Sequence, residues 1–549
     1  MAHTHTVGRH LVQRLEEAGL GHVFGIPGDY VLRFYDLLEA SRLKVVGTCT
    51  EQGAAFAADA YARVNGLGCV CITYCVGGLN TINAVAEAYA EKSPVIVISG
   101  APGLQERVRH PLLHHRVRDF NTQRRIFDEV TVASAALDDP AKAPGQIDEA
   151  IAACHRHKRP VYIELPRDLV DRPCAAPAPP AAEAPKSDPA ALREALGEAA
   201  AMLRRAKRPV ILAGVELHRF GLQASLLRLM ERTGYPVAAT LLGKSVVSEV
   251  HPQYLGVYEG AMGREDVRRS VEGADAVLIL GAFMTDINLG VFTAHLDMSR
   301  AVYATSERIA IRHHHFEGVT LRDFIHGLLR APIGPRRRVA LPPRKPHAPF
   351  RPQRNRPVTV RRFFARLNDF LEDNFAVVCD PGDSLFGAAD LVIHRKTEFL
   401  GPAYYASMGF AVPAALGVQI ARPRLRPVVL VGDGAFQMTG QELATIARWG
   451  LNPIVIVLNN KGYTTERFIH DGPYNDLLNW AYHEMPKLLG TGWGCEARTE
   501  GELEDALARA RANTRCFSLI NLHLDPYDRS PALERLACRL ARQVAQKPT

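Results

Sequence analysis

Two short peptides, Gly432-Asp433-Gly434 and Asn459-Asn460, constrain this chain most, because each follows an apolar run and 24 residues lie between them. Residues 428–431 (VVLV) and 454–458 (IVIVL) read as buried parallel strands, and residues 441–448 have helical periodicity. The segment is therefore strand, helix, strand, and a right-handed crossover returns both strand ends to one edge of the sheet. The Asp433 carboxylate and the Asn460 amide oxygen then converge beside glycine-lined backbone. Two hard oxygen ligands with room for phosphate oxygens and water suit Mg²⁺. The segment is a candidate magnesium–diphosphate site.

A chain of 549 residues exceeds a single core and implies several domains. With 47% hydrophobic and 23% charged residues it has the composition of an ordinary globular protein. No run of 18 apolar residues occurs, so no membrane span is expected. The first residues lack the basic-then-apolar layout of a secretory signal. Ten cysteines form no C-x-x-C pair, and Cys69, Cys71 and Cys75 are expected to be buried thiols. A reducing cytoplasm is the expected compartment.

The net charge of +8 raises the question of nucleic acid. Much of the excess falls on Arg336, Arg337, Arg338, Arg344, Lys345, Arg351, Arg354 and Arg356, in a stretch dense in proline. Such a stretch reads as an extended, solvated linker and not as a groove-reading helix. No nucleic-acid partner is expected. His313-His314-His315 reads as an exposed turn without a metal.

A second proline-rich joint spans residues 172–189. The two joints divide the chain into residues 1–172, 190–332 and 357–549, each of domain size. Each piece alternates strand-like apolar runs with amphipathic helices, so the fold class is α/β with three open, mostly parallel sheets flanked by helices. In the first piece residues 44–49, 70–74 and 94–98 read as strands and residues 54–63 as an alanine-rich helix. In the middle piece residues 209–213 and 276–281 read as strands. Neither is followed by G-x-G-x-x-G, so nothing there argues for a bound dinucleotide.

The GDG…NN interval resembles the signature of the thiamin-diphosphate-dependent 2-oxo acid decarboxylases, and the resemblance extends over nearly the whole chain. It implies pyrimidine-binding, central and diphosphate-binding domains in that order, with thiamin diphosphate and Mg²⁺ as cofactors. It implies Asp433, Asn460 and the carbonyl of Gly462 as metal ligands. Gly382 and Asp383, after the strand-like residues 376–379, resemble a second diphosphate contact made by backbone N–H groups. Thr73, Gly434, Ala435 and Tyr463 are further expected cofactor contacts. Met408, in Tyr404-Tyr405-Ala406-Ser407-Met408-Gly409-Phe410, matches the bulky residue that props the cofactor into its bent form.

Glu51 lies between a strand and the helix 53–63, at the carboxyl edge where α/β sheets bind ligands. Its surroundings resemble the family's activating-glutamate segment, which implies a hydrogen bond to the cofactor's aminopyrimidine. Taken alone, Glu51 could merely complement a helix N-terminus. Asp29, in Gly25-Ile26-Pro27-Gly28-Asp29, the pair His114-His115 and Glu466, in Gly462-Tyr463-Thr464-Thr465-Glu466, resemble the proton-handling cluster of the decarboxylase branch.

Two positions that are aromatic in pyruvate-selective bacterial relatives align here with Ile287 and Leu385, and a third, usually branched and apolar, with Thr465. Ile469 completes the expected pocket. One methylene in an apolar pocket shifts discrimination by about 1–3 kcal/mol, so these residues point to an aromatic or long branched 2-oxo acid. Residues 469–475 instead resemble bacterial pyruvate decarboxylases, and pyruvate stays an alternative. Some phenylpyruvate-specific relatives lack the glutamate that Glu466 retains. A carboligase of the acetolactate synthase type shares the cofactor motif but normally lacks the histidine pair. The resemblance further implies a homodimer at minimum, with active sites at the subunit interface, and a homotetramer as the full assembly.

Overall fold

The computed structural model describes residues 5–175, 185–334, 349–393 and 398–535. The most basic part of the proline-rich stretch, Arg336 to Lys345, and the centre of the first joint lie outside them.

The first sheet contains β1 (His22–Gly25), β2 (Lys44–Gly47), β3 (Gly68–Ile72), β4 (Val95–Ala101), β5 (Ser134–Ala136) and β6 (Val161–Pro166), in the order β2-β1-β3-β4-β6-β5 with every pairing parallel. Every residue of β3, β4 and β6 is buried, as expected of parallel strands covered by helices on both faces. The helix Glu51–Asn65 is capped by Thr50, whose Oγ1 accepts from Gly53 N–H at 2.9 Å, and ends at Gly66 in the left-handed region. Its alanines admit the buried helix Ala411–Ala421 so closely that a Cβ at Gly417 would stand 2.9 Å from the Ala57 carbonyl carbon. These elements, with residues 439–451, form one compact unit.

The second unit carries the other two sheets. One contains β7 (Pro209–Ala213), β8 (Val237–Ala239), β9 (Tyr254–Val257), β10 (Ala276–Leu280), β11 (Ala301–Ala304), β12 (Ile309–Ile311) and β13 (His314–Phe316), in the order β13-β12-β11-β10-β7-β8-β9. It is parallel from β9 to β11 and antiparallel at β12 and β13, so this sheet is mostly parallel as expected, with an antiparallel edge that the sequence did not indicate. The reason is a tight hairpin at residues 305–308. It is closed by Thr305 N–H to the Arg308 carbonyl at 2.9 Å, and its tip is held by Glu216, which accepts from Ser306 N–H at 2.7 Å. Of the histidine run, His313 lies in the exposed turn between β12 and β13, as expected, while His314 and His315 open β13, and His314 Nδ1 meets Glu198 at 2.9 Å.

The third sheet contains β14 (Phe375–Cys379), β15 (Glu398–Leu400), β16 (Arg426–Gly432), β17 (Ile454–Asn459), β18 (Trp493–Ala497) and β19 (Ser518–His523), all parallel, in the order β15-β14-β16-β17-β19-β18. Its core is continuous with Leu241, Leu242, Val257 and Met262 of the preceding sheet, which is why the two sheets form one unit. Cys69, Cys71 and Cys75 are buried and unoxidised, as expected. No helix among the described residues is long and apolar enough to cross a membrane.

Candidate active site

In the third sheet β16 and β17 lie side by side, with Gly432 opposite Leu458, so Asp433 and Asn460 emerge at the same edge. β14 is flanked by β15 on one side and β16 on the other, so connections leave β14 and β16 in opposite directions and open a crevice at their carboxyl ends. Gly382 follows β14 and Asp433 follows β16. At Gly382 the backbone adopts φ 92°, open to glycine alone, and a Cβ there would stand 3.6 Å from Thr465 Oγ1. The Gly382 turn and the segment Gly462–Glu466 therefore adjoin.

The Asp433 carboxylate is almost fully buried. It accepts from Gly434 N–H at 2.8 Å and from Gly462 N–H at 3.1 Å. Burial pushes its carboxyl up to about 6, against the pull of these N–H groups. Asn460 is buried, and its Oδ1 finds no hydrogen-bond partner among the described residues. An orphaned amide oxygen near a buried carboxylate fits a hard divalent cation, whose coordination would satisfy both. The backbone at Gly462 passes so close to the Asn475 carbonyl and Arg467 that no side chain would fit. Tyr463 lies over Gly434, and Ala435 is buried beside it.

The Asp383 side chain turns away from the crevice. It accepts from the N–H of Ser530 at 2.8 Å and from its hydroxyl, and burial raises its carboxyl to about 6. Its side chain being taken, only its backbone is left to serve an anion. Met408 is half-buried in a loop whose Ala406 (φ 60°) and Gly409 (φ 89°) are both left-handed. Glu466 is exposed on the first turn of the helix Thr464–Ile469. Ile287 packs at the edge of the core that contains Leu385, Ile469 is exposed, and Leu385 is buried against Gly401.

The first sheet repeats the arrangement. β1 is flanked by β2 and β3, and Asp29 and Thr73 follow β1 and β3 at the crevice between them. A Cβ at Gly28 would stand 2.6 Å from Thr73 Oγ1, itself buried without a hydrogen-bond partner among the described residues. A Cβ at Gly77 would stand 3.3 Å from Thr73 and 3.5 Å from the Glu51 carboxylate. Glu51 accepts from Asn80 Nδ2 at 2.7 Å. Asp29 Oδ2 meets His114 Nε2 at 2.9 Å, and Oδ1 lies 4.0 Å from His115 Nε2. The three residues separated in sequence are thus one cluster, and among the described residues they form the only His/Cys/Asp/Glu group close enough to share an ion.

Three residues were missed in the sequence. Glu442 accepts from Cys49 N–H at 3.1 Å and from Thr50 N–H at 3.0 Å, fixing the turn that presents Glu51. Those N–H groups are taken from the strand, so β2 stops at Gly47 and the helix begins at Glu51, three residues earlier than the alanine pattern suggested. Asn80 orients Glu51 from a short helix with no periodic signal. Arg467, buried, ties the loop around Asn460. Only Glu442 left a trace, as a carboxylate on the apolar side of an otherwise regular helix.

Comparison with known proteins agrees with this geometry. The thiamine pyrophosphate enzyme N-terminal TPP binding domain matches residues 5–120, the central domain residues 196–322, and the C-terminal TPP binding domain residues 380–522. The chain is 38% identical to an indole-3-pyruvate decarboxylase of Azospirillum brasilense, over 93% of this chain and 94% of that protein. It is 36% identical to an alpha-keto-acid decarboxylase of Mycolicibacterium paratuberculosis (98% and 97%) and 33% identical to pyruvate decarboxylase 1 of Pisum sativum (99% and 94%). A thiamin diphosphate enzyme is therefore the class that fold and site define. Within that class the chain belongs to the thiamin-diphosphate-dependent 2-oxo acid decarboxylases.

Proposed function

We propose that this chain converts an aromatic or long branched 2-oxo acid to an aldehyde and CO₂, without oxidation, using thiamin diphosphate and Mg²⁺. The observation that carries the proposal is the 2.9 Å contact between Asp29 and His114, with His115 beside them, at the crevice of the first sheet. We assign Mg²⁺ to Asp433, Asn460 and the Gly462 carbonyl. Backbone at Gly382, Asp383, Gly434 and Ala435 would hold the diphosphate, with Thr73, Met408 and Tyr463 lining the rest of the cofactor.

Bound thiamin diphosphate supplies the nucleophilic carbon and takes up the electron pair left by CO₂. Glu51 would hydrogen-bond the cofactor's aminopyrimidine, and Asn80 holds that carboxylate in place. Asp29, His114, His115 and Glu466 hold and deliver the proton that replaces CO₂.

The substrate class rests on Ile287 and Leu385, which leave more room than aromatic side chains, on Thr465 in place of a branched apolar residue, with Ile469 completing the pocket, and on the bulky substrate in the name of the Azospirillum relative. Pyruvate is the alternative, favoured by the name of the Pisum relative. An assay of aldehyde release over phenylpyruvate, indolepyruvate and pyruvate decides between them. Higher kcat/KM on pyruvate would overturn the pocket assignment. A 2-hydroxy ketone as main product would instead identify a carboligase. We further propose three domains at 1–172, 190–332 and 357–549 and a cytoplasmic homodimer or homotetramer in which Glu51 of one subunit serves the metal site of another.

A further inference from the structure

Arg167 has no part in the cofactor chemistry, yet it is held beside the proton-handling cluster. Its Nε donates to Glu106 Oε2 at 2.9 Å, and a second nitrogen meets Glu106 Oε1. Glu106 is itself fixed, since Oε2 also accepts from Gly103 N–H at 2.6 Å. The same turn is fastened to the Arg167 loop from the other direction, because Asp168 accepts from Leu104 N–H at 3.0 Å and from Gln105 N–H at 3.3 Å. A guanidinium anchored through two of its nitrogens has a fixed plane. Its remaining nitrogen, Nη1, stands 3.7 Å from Asp29 Oδ2, the oxygen that meets His114.

Tyr30 completes the arrangement. Its ring is almost fully buried, and the Arg167 guanidinium lies 5.1 Å from the ring centroid. The His114 imidazole stacks on the same ring at 4.8 Å with an interplanar angle of 18°, and the Tyr30 hydroxyl donates to the His114 carbonyl at 3.3 Å. Asp29 and His114 are themselves exposed, at 42% and 58%, so solvent alone would leave both free to change rotamer.

We infer that Arg167, anchored by Glu106 and packed on Tyr30, is a positioning residue that fixes the Asp29 carboxylate and, through the shared ring, the plane of His114. The inference rests on the assignment of Asp29 and His114 to proton transfer. A misplaced proton donor slows the chemical step while leaving substrate binding in place, so the effect falls on kcat and not on KM.

The test compares purified, cofactor-saturated R167M, R167K, R167A and D29N with the wild type on the best 2-oxo acid. R167M is expected to lose at least tenfold in kcat with KM within threefold and thiamin diphosphate affinity unchanged. R167K, which keeps the charge but not the fork, falls between, and millimolar guanidinium restores part of the activity of R167A. If D29N loses activity while R167M stays within twofold of wild type, the positioning role is wrong and the catalytic assignment stands. Loss of cofactor affinity or of the folded state in both R167M and R167K would make Arg167 structural and also overturn the inference. If D29N is itself fully active, the catalytic assignment fails and the inference falls with it.

Discussion

Arg467 donates to the Asn460 carbonyl at 3.1 Å and, through a second nitrogen, to the Lys461 carbonyl at 2.9 Å and to Asp476 at 2.8 Å. One buried cation thus braces the segment that carries the proposed ligands Asn460 and Gly462 and ties it to Asp476. Partners of this kind, one step removed from the ion, are typically worth 10–100-fold in metal affinity. R467M is expected to weaken Mg²⁺-dependent thiamin diphosphate binding by about that factor. Calorimetric titration checks it, and unaltered affinity would show that the loop holds its shape without Arg467.

Glu442 does the same for Glu51. E442A leaves the N–H groups of Cys49 and Thr50 without their acceptor inside the fold. Hydrogen bonds to a charged group are worth about 1.5–3 kcal/mol each, so E442A is expected to lower the urea midpoint. E442Q, which retains one acceptor oxygen, should lose less. Equal midpoints for wild type and E442A would remove Glu442 from the framework of the site.

The Asp383 carboxyl, raised to about 6 by burial, makes stability depend on pH. A folded-state value above the unfolded one means that the group stabilises the fold below the unfolded value near 3.8 and loses that contribution as pH rises through about 6. D383N removes the charge and keeps the shape. The cofactor-free variant should therefore gain in melting temperature over wild type at pH 7.5 and lose that gain at pH 4.5. A gain that does not depend on pH would contradict a buried, reluctantly ionised Asp383.

I287Y fills space beside the proposed substrate. By the cost of crowding an apolar pocket, it should lower kcat/KM on phenylpyruvate by about 10–200-fold relative to pyruvate. Steady-state rates on both acids measure the ratio. An unchanged ratio would place the side chain of the substrate elsewhere.

Local pattern carried a good deal of this. The strand–helix–strand reading of residues 428–458 holds because fully buried parallel strands write themselves as continuous apolar runs, and Gly432 and Leu458 do face each other. The convergence of Asp29 with His114 was legible only through resemblance, because 85 residues separate them. Where the sequence misled, a long-range contact had intervened. β2 ends at Gly47 because of an acceptor 393 residues away, and the mixed edge of the middle sheet follows from a hairpin pinned by Glu216. Arg167 and Arg467 were unreadable for the same reason, since a turn and a six-residue helix are too short for periodicity to betray their partners.

The central claim is a divalent-metal site for thiamin diphosphate at Asp433 and Asn460. Isothermal calorimetry of the wild type and D433A with thiamin diphosphate, with and without Mg²⁺, tests it most directly. The account predicts binding by the wild type only when Mg²⁺ is present and none by D433A in either condition. Equal, metal-independent binding by both proteins would contradict it.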